Sequence, residues 1–324
     1  MENQLLVNTD LQVSSICFGT AHIGSVLDTP TSFQLMDQYA DYGGNFIDTA
    51  NIYAAWISGG KGISEQTIGA WMKARRNRHH IVLATKGAHP HLDRMHIPRM
   101  SVSAITEDLD QSLHDVGTDY IDIYYLHRDH VLTPVEEILD ALESKVKEGK
   151  IRYYACSNWH HSRIREAAQI AQVRGYRGFV ANQMMWSLAD VNPEALTDPT
   201  LVNMDEHTLS YHRECGLTAI PYTAQANGFF TKLHQYGVAG LSPQLVARYV
   251  NEVNLARYKI ILEYCSDWGI SVTTVVLAYI RSQPGFQAIP IIGASSLDQL
   301  RDSLAQHEVR LDRQQVERLE SVNT

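Results

Sequence analysis

The chain has 324 residues, 44% of them hydrophobic and 19% charged, with a formal net charge of −9. That composition supplies a large core and excludes a disordered polymer, and an acidic balance without any basic run excludes nucleic acid and anionic membrane as partners. The longest apolar stretches, such as residues 272–280, are too short to span a bilayer, and the start MENQLLVNTD lacks the basic and apolar regions of a secretory signal, so the expected location is cytoplasmic.

Taken in chain order, short apolar and β-branched runs predict eight strands, at 13–20, 45–50, 81–86, 121–127, 151–158, 179–185, 217–223 and 288–294. Helical spacing fills the intervals, for example at 64–76, 103–116, 134–148, 162–174 and 297–307. Thr133 before Pro134, with Glu136 and Glu137 behind them, marks a helix start, and Gly149 after Lys145 and Lys147 marks its end. Strict alternation of strand and helix predicts a parallel sheet. Eight units predict its closure into a (β/α)8 TIM barrel, one α/β domain over residues 1–324. An open, doubly wound sheet is the alternative, but the first strand runs into Gly19-Thr20-Ala21-His22-Ile23-Gly24, which lacks the GxGxxG spacing. The longest irregular stretches, 186–200 and from 224 to about 248, follow the sixth and seventh strands, where they would shape the mouth of a barrel. Cys17, Cys156, Cys215 and Cys265 match no metal or CxxC spacing and are expected to be buried free thiols.

Ionisable side chains recur where strands end. The second strand carries Asp48 with Tyr53 beyond it, the third ends in Lys86 and the fourth in His127. Singly, each has an ordinary explanation as a turn residue, a solvated lysine or a packed histidine. On adjacent strands of one barrel their ends converge, and together they suit carbonyl reduction. The alkoxide left by hydride transfer needs a proton, and a tyrosine hydroxyl can give one. A lysine beside it favours the tyrosinate and is expected to lower its pKa, while a carboxylate keeps the lysine charged. A histidine N–H can hold the carbonyl oxygen.

Residues 45–53 (NFIDTANIY), 83–86 (LATK), 117–127 (GTDYIDIYYLH) and 149–158 (GKIRYYACSN) resemble motifs of the aldo-keto reductases, the bacterial type above all. The potassium-channel beta subunits are similar too, and the resemblance extends from about Val7 to Leu319. It implies a barrel, a catalytic tetrad of Asp48, Tyr53, Lys86 and His127, and a nicotinamide cofactor held without a Rossmann domain. Tyr53 would be general acid in reduction and general base in oxidation. The resemblance places Ser157, Asn158 and Gln183 on the nicotinamide carboxamide and Tyr222 against its ring. It places Thr223, Ala224, Gln225, Gly228 and Lys232 along the cofactor, and Ser295, Gln299 and Asp302 at the adenosine end. The turn from Gly293 into the last predicted helix is also a phosphate site on physical grounds, a glycine turn leading into a helix N-terminus. Many family members carry an arginine or lysine here to grip a 2′-phosphate, whereas residues 293–299 contain none. NADP(H) is expected over NAD(H), with NAD(H) a serious rival because the usual cationic fork is missing.

The expected activity is therefore NAD(P)(H)-dependent reduction of an aldehyde or ketone, or oxidation of the alcohol, on a small molecule. A cofactor-binding regulatory subunit with little turnover is the alternative. A phosphate-sugar isomerase on the same fold is a weaker one, since no late-strand acid stands out as its base. His22, Trp56, His89, Arg128 and Trp159 are placed at the substrate mouth, with Asp129 and Trp186 nearby. Aromatic faces among polar loops suit a sugar or keto-sugar as much as other carbonyls. His89, His91, His96 and Asp93 lie together, but Pro90 and Pro98 keep that loop extended and no second ligand set accompanies it, so no metal is expected. Nothing in the sequence fixes an oligomeric state.

Overall fold

In a computed structural model, which describes residues 1–322, eight parallel strands form a ring. Before it stands an antiparallel hairpin of β1 (Asn3–Leu5) and β2 (Gln12–Ser14). The ring consists of β3 (Cys17–Gly19), β4 (Phe46–Asp48), β5 (Val82–Gly87), β6 (Ile121–Leu126), β7 (Ile151–Ser157), β8 (Ala181–Gln183), β9 (Thr218–Ala219) and β10 (Ile291–Ile292). Neighbours pair in that order, and β10 pairs with β3. The gap between β9 and the last strand is bridged by Ala219 N donating to Gln287 O and Ile289 N donating to Ala219 O, each 2.9 Å. The expected (β/α)8 barrel is the fold found, its ring closed on itself.

Among the described residues, twelve α-helices surround or follow the strands: α1 (Thr29–Asp41), α2 (Ile63–Arg75), α3 (Val102–Val116), α4 (Val135–Lys147), α5 (His161–Arg174), α6 (Glu206–Cys215), α7 (Phe229–Tyr236), α8 (Pro243–Tyr249), α9 (Glu252–Trp268), α10 (Val272–Arg281), α11 (Leu297–Leu304) and α12 (Arg313–Glu320). Among the described residues no single helix is long and apolar enough to cross a membrane. Only α9 and α10 together meet that test, across a 104° bend, and α10 is buried from Val272 to Ile280.

Side-chain alternation along the strands positions the site. Phe46, Val82, Ala84, Ile123, Tyr125, Ala155, Ala181, Ile220 and Ile289 pack inside the ring, and Leu6, Leu11 and Val13 around the hairpin close its amino-terminal end. Ile47, Leu83, Tyr124, Leu126 and Tyr154 point outward to the helices. Two residues beyond this interior, on the same face, come Asp48, Lys86, His127, Ser157, Gln183 and Tyr222. The apolar core thus ends in a polar layer at the carboxyl ends of the strands.

Several expectations need correction. The run at 13–20 is two strands, because Val13 pairs antiparallel with Gln4 and the ring begins only at Cys17. β9 and β10 hold two residues each, since Pro221 and Pro290 interrupt their ladders by lacking an N–H. The stretch 224–248 is largely helical, with α8 capped by Ser242 and opened by Pro243. Pro134 is the cap of α4 rather than its first residue, and Thr133 Oγ1 pairs with His130 Nδ1 at 2.8 Å. Cys17 and Cys156 are buried free thiols, but Cys215 is exposed and Cys265 half-buried.

Candidate active site

Lys86, at the inward-facing end of β5, has no exposed side-chain surface. Its Nζ donates to Asp48 Oδ2 at 2.6 Å, to the Thr49 carbonyl at 2.7 Å and to the Tyr53 hydroxyl at 2.9 Å, which uses all three ammonium hydrogens. Asp48 Oδ1 in turn accepts from Gln183 Nε2 at 2.9 Å. Burial acts to depress Lys86, but the Asp48 carboxylate and Tyr53 outweigh it and hold the ammonium above its ordinary pKa. For Tyr53 the balance runs the other way from the sequence expectation. Burial raises the phenol more than Lys86 lowers it, so the pKa lies above its usual value and the hydroxyl keeps its proton at neutral pH.

His127 completes the group. Its ring stands edge-on to Tyr53, with centroids 6.1 Å apart, and packs against His89 at 4.8 Å. Burial, reinforced by Arg128, pushes its pKa well below the ordinary range, leaving a neutral imidazole. Its Nδ1 is buried without a partner. His89 is likewise depressed, to about 4, first by burial and then by Arg128, and its Nδ1 lies 2.6 Å from the Pro90 carbonyl.

Asp48, Tyr53 and His127 line one end of a cavity of about 840 Å³, within the range of roughly 300–1,000 Å³ common for small-molecule clefts. Ser157, Asn158, Gln183 and Tyr222 line its middle, and Thr223, Ala224, Gln225, Gly228 and Lys232 the side formed by the segment after β9. Gly293, Ser295, Gln299 and Asp302 line the far end, and His22 and Arg128 also border the cavity. Hydroxyl, amide nitrogen and amide oxygen thus line one stretch of the cavity, the mix of donors and acceptors a nicotinamide carboxamide needs. At the far end a bare Gly293, whose added Cβ would touch nothing within 4 Å, leads to α11, with Ser296 as its cap. The residues present fit a nicotinamide dinucleotide.

Local contacts explain how some of these groups are held. Asn158 has φ +59, and its Oδ1 accepts from the Tyr222 hydroxyl at 2.6 Å and Val202 N at 3.1 Å. That oxygen therefore orients Tyr222, while Ser157 and Gln183 carry the freer polar atoms. Gln299 Oε1 accepts from Ser295 N at 2.8 Å. Lys232 Nζ donates to the Asn227 carbonyl at 2.9 Å, and it is the one cation on the cavity besides Arg128 among the described residues. Arg301 pairs with Asp298 and Arg257 with Asp190, and neither borders the cavity.

Three substrate candidates lie elsewhere. Trp159 is fully buried, packs edge-on against Phe179 and donates to the Arg128 carbonyl at 3.1 Å, because the positive φ of Asn158 turns the chain beneath the rim. Trp56 is 49% exposed near Tyr53 but does not line the cavity. His89 faces a neighbouring cavity of about 310 Å³, shared with Asn51, Lys61, His91 and Arg99. Trp186 is core, against Tyr279 and Phe286, and Asp129 is paired with Arg163. Among the described residues no group of three metal-ligating side chains is present. Sequence reading passed over Leu201, Thr231, Gln235 and Thr273, which reach the cavity from loops and helices without a local motif.

The family model described as the Aldo/keto reductase family matches residues 15–324. The chain is 31% identical over 319 residues to the uncharacterized oxidoreductase YrpG of Bacillus subtilis (strain 168), covering 97% of this chain and 93% of that protein. It is 28% identical over 334 residues to norsolorinic acid reductase B of Dothistroma septosporum, covering 98% and 80%. A crystal structure of a thermostable aldo-keto reductase bound to the inhibitor epalrestat superposes with a TM-score of 0.71 over the whole of both chains at 22% identity, a likeness of fold.

Proposed function

The chain belongs to the aldo/keto reductase family, and from that premise we propose that it is an NAD(P)(H)-dependent oxidoreductase that reduces an aldehyde or ketone, or oxidises the alcohol. The observation that carries the reading is the buried Asp48–Lys86–Tyr53 chain, which places a protonated phenol on the same cavity wall as a neutral histidine. When bound, the nicotinamide supplies or accepts the hydride. The protein groups handle the oxygen and its proton. His127, neutral, donates to the carbonyl oxygen and holds it beside Tyr53. Tyr53 releases its proton to that oxygen as negative charge develops, and Lys86 stabilises the tyrosinate left behind. Asp48 keeps Lys86 charged throughout. In the alcohol-to-carbonyl direction the same groups run in reverse, with Tyr53 accepting the proton.

Ser157, Asn158 and Gln183 are assigned to the carboxamide, Tyr222 to the nicotinamide face, and Gly293, Ser295 and Gln299 to the adenosine end. Lys232 is the one lysine on the cavity among the described residues, and Asp298 and Asp302 line the same cavity. A single flexible ammonium opposed by carboxylates supports only a modest preference for NADP(H) over NAD(H). The sugar-like substrate reading loses its aromatic supports, since Trp159 and Trp186 are packed in the interior and Trp56 does not line the cavity. Mixing the purified protein with NADPH or NADH and a panel of aldehydes and ketones, and following nicotinamide absorbance, tests the proposal. Carbonyl-dependent oxidation of the cofactor is expected. Tight cofactor binding without turnover on any carbonyl or alcohol would favour a regulatory subunit instead.

A further inference from the structure

Arg128 follows His127 directly, borders the same cavity as Tyr53 and is 9% exposed. Its Nε donates to Thr200 Oγ1 at 2.9 Å and its Nη1 to the His127 carbonyl at 3.0 Å. A guanidinium carries five N–H groups, so three have no hydrogen-bond acceptor among the described residues. The nearest carboxylate oxygen, Asp198 Oδ2, is 3.7 Å from Nη2, beyond hydrogen-bonding distance, on a side chain that is 33% exposed. Asp198 Oδ1 is occupied by the Thr200 N–H and hydroxyl.

Arg257 is also 9% exposed, but its guanidinium meets Asp190 at 2.7 Å and donates to the carbonyls of Leu319 and Leu188. A buried cation is costly unless paired and hydrogen-bonded. Arg257 meets that condition with a close ion pair, whereas Arg128 has only the looser 3.7 Å pair with Asp198. Burial accordingly pushes the Arg128 guanidinium down, with Tyr222, Asp198 and Tyr53 acting against it. Arg128 is also fixed in place. Trp159 donates to its backbone carbonyl, and Thr200 and the His127 carbonyl hold its head from two sides. A rigid, under-paired fork on a cavity wall is complementary to a planar or tetrahedral oxyanion.

Building on the carbonyl-reducing function above, we propose that the substrate carries an oxyanion group, a carboxylate or a phosphate, which Arg128 holds while the carbonyl sits at Tyr53 and His127. The loop bearing Asp198 and Thr200 sets the strength of that grip, because Asp198 competes with the substrate anion for the same guanidinium.

The test compares matched carbonyls: 4-carboxybenzaldehyde with 4-methylbenzaldehyde, succinic semialdehyde with butanal, and glyceraldehyde 3-phosphate with glyceraldehyde. At least one anionic member is expected to exceed its neutral partner in kcat/KM by about 10- to 100-fold, the usual size of a charge-assisted contact. Which pair shows it tells carboxylate from phosphate. Arg128→Gln should collapse that ratio, Arg128→Lys should restore part of it, and Asp198→Asn, which leaves the guanidinium in place, should raise it. Binding is read separately, by the thermal shift that terephthalate produces in the presence of cofactor and by its loss in Arg128→Gln. That shift without turnover on any carbonyl would uphold the anion site and sink the carbonyl-reducing reading. Equal losses on anionic and neutral substrates in Arg128→Gln, or an unchanged ratio in Asp198→Asn, would overturn the anion site, leaving Arg128 as a strap for the loop.

Discussion

Replacing Asp48 with Asn removes one charge and keeps the volume. Lys86 donates to one Asp48 oxygen and Gln183 to the other, so an amide can satisfy only one of the two and must turn its NH2 against the other donor. Removing one partner of a buried pair costs about 3–5 kcal/mol. The ammonium also loses the carboxylate that offsets its burial, so its pKa falls. The folded pKa of Lys86 is now raised, so the pair's contribution is present below the unfolded lysine pKa of about 10.4 and is lost only as pH climbs through the folded value. In the wild type it is therefore constant from pH 6 to 10. Asp48→Asn should lower the urea midpoint and bring a new alkaline limb into the pH–kcat profile, at lower pH than any seen in the wild type. The double variant Asp48→Asn/Lys86→Met, which removes both charges, should regain much of the stability but none of the turnover. Wild-type stability and an unchanged pH profile in Asp48→Asn would refute the coupling.

Tyr53→Phe should cut turnover by about 10²–10⁴ with little change in cofactor affinity; near-normal turnover would remove Tyr53 from the proton transfer. Glu65, on α2, is fully buried, and burial pushes its carboxyl up to about 7. Ionisation is thus disfavoured in the folded state, and stability should fall as pH rises from about 4.5 through 7, by about 3 kcal/mol in total. Chemical denaturation at pH 5.5 and 8.5 should show that slope in the wild type and its loss in Glu65→Gln. Ser295→Arg should strengthen NADP(H) selectively by adding a fork that only a 2′-phosphate can use. A cofactor ratio unmoved in tryptophan-quenching titrations would take Ser295 away from the adenosine ribose.

The barrel was legible because eight apolar runs alternated with helical spacing, and strand parity then put Asp48, Lys86 and His127 on one face. What the sequence hid was mostly decided by single backbone atoms or by burial. Pro221 and Pro290 shorten β9 and β10 without altering their apolar pattern. The reading of 13–20 as one strand failed because Val13 finds an antiparallel partner in Gln4, a pairing no local signal marks. Trp159 follows a strand end as the cavity residues do, and only the positive φ at Asn158 sends it under the rim. The sense of the Tyr53 shift depended on how far burial outweighs Lys86, a comparison that requires the folded surroundings. The candidate tetrad came from strand ends and family resemblance together, while Thr231, Gln235 and Thr273 entered the cavity only through the fold.

The pairing of β10 with β3 joins Ile291 to Cys17 and Ile292 to Phe18, the first and the last strand of the ring in sequence order. On a ribosome, that seam cannot be sewn until β10 has emerged, and a nascent chain must carry unpaired β3 and β9 flanks meanwhile. The residues just past β10, Gly293 to Ser303, also form the far wall of the large cavity. Any ligand that bridges both ends of the cavity therefore recognises a ring already shut, and stabilises the closed barrel by mass action. A metabolite pool that occupies the cavity would double as a folding clamp, so the abundance of this protein in a cell should track the supply of that ligand as well as its own synthesis.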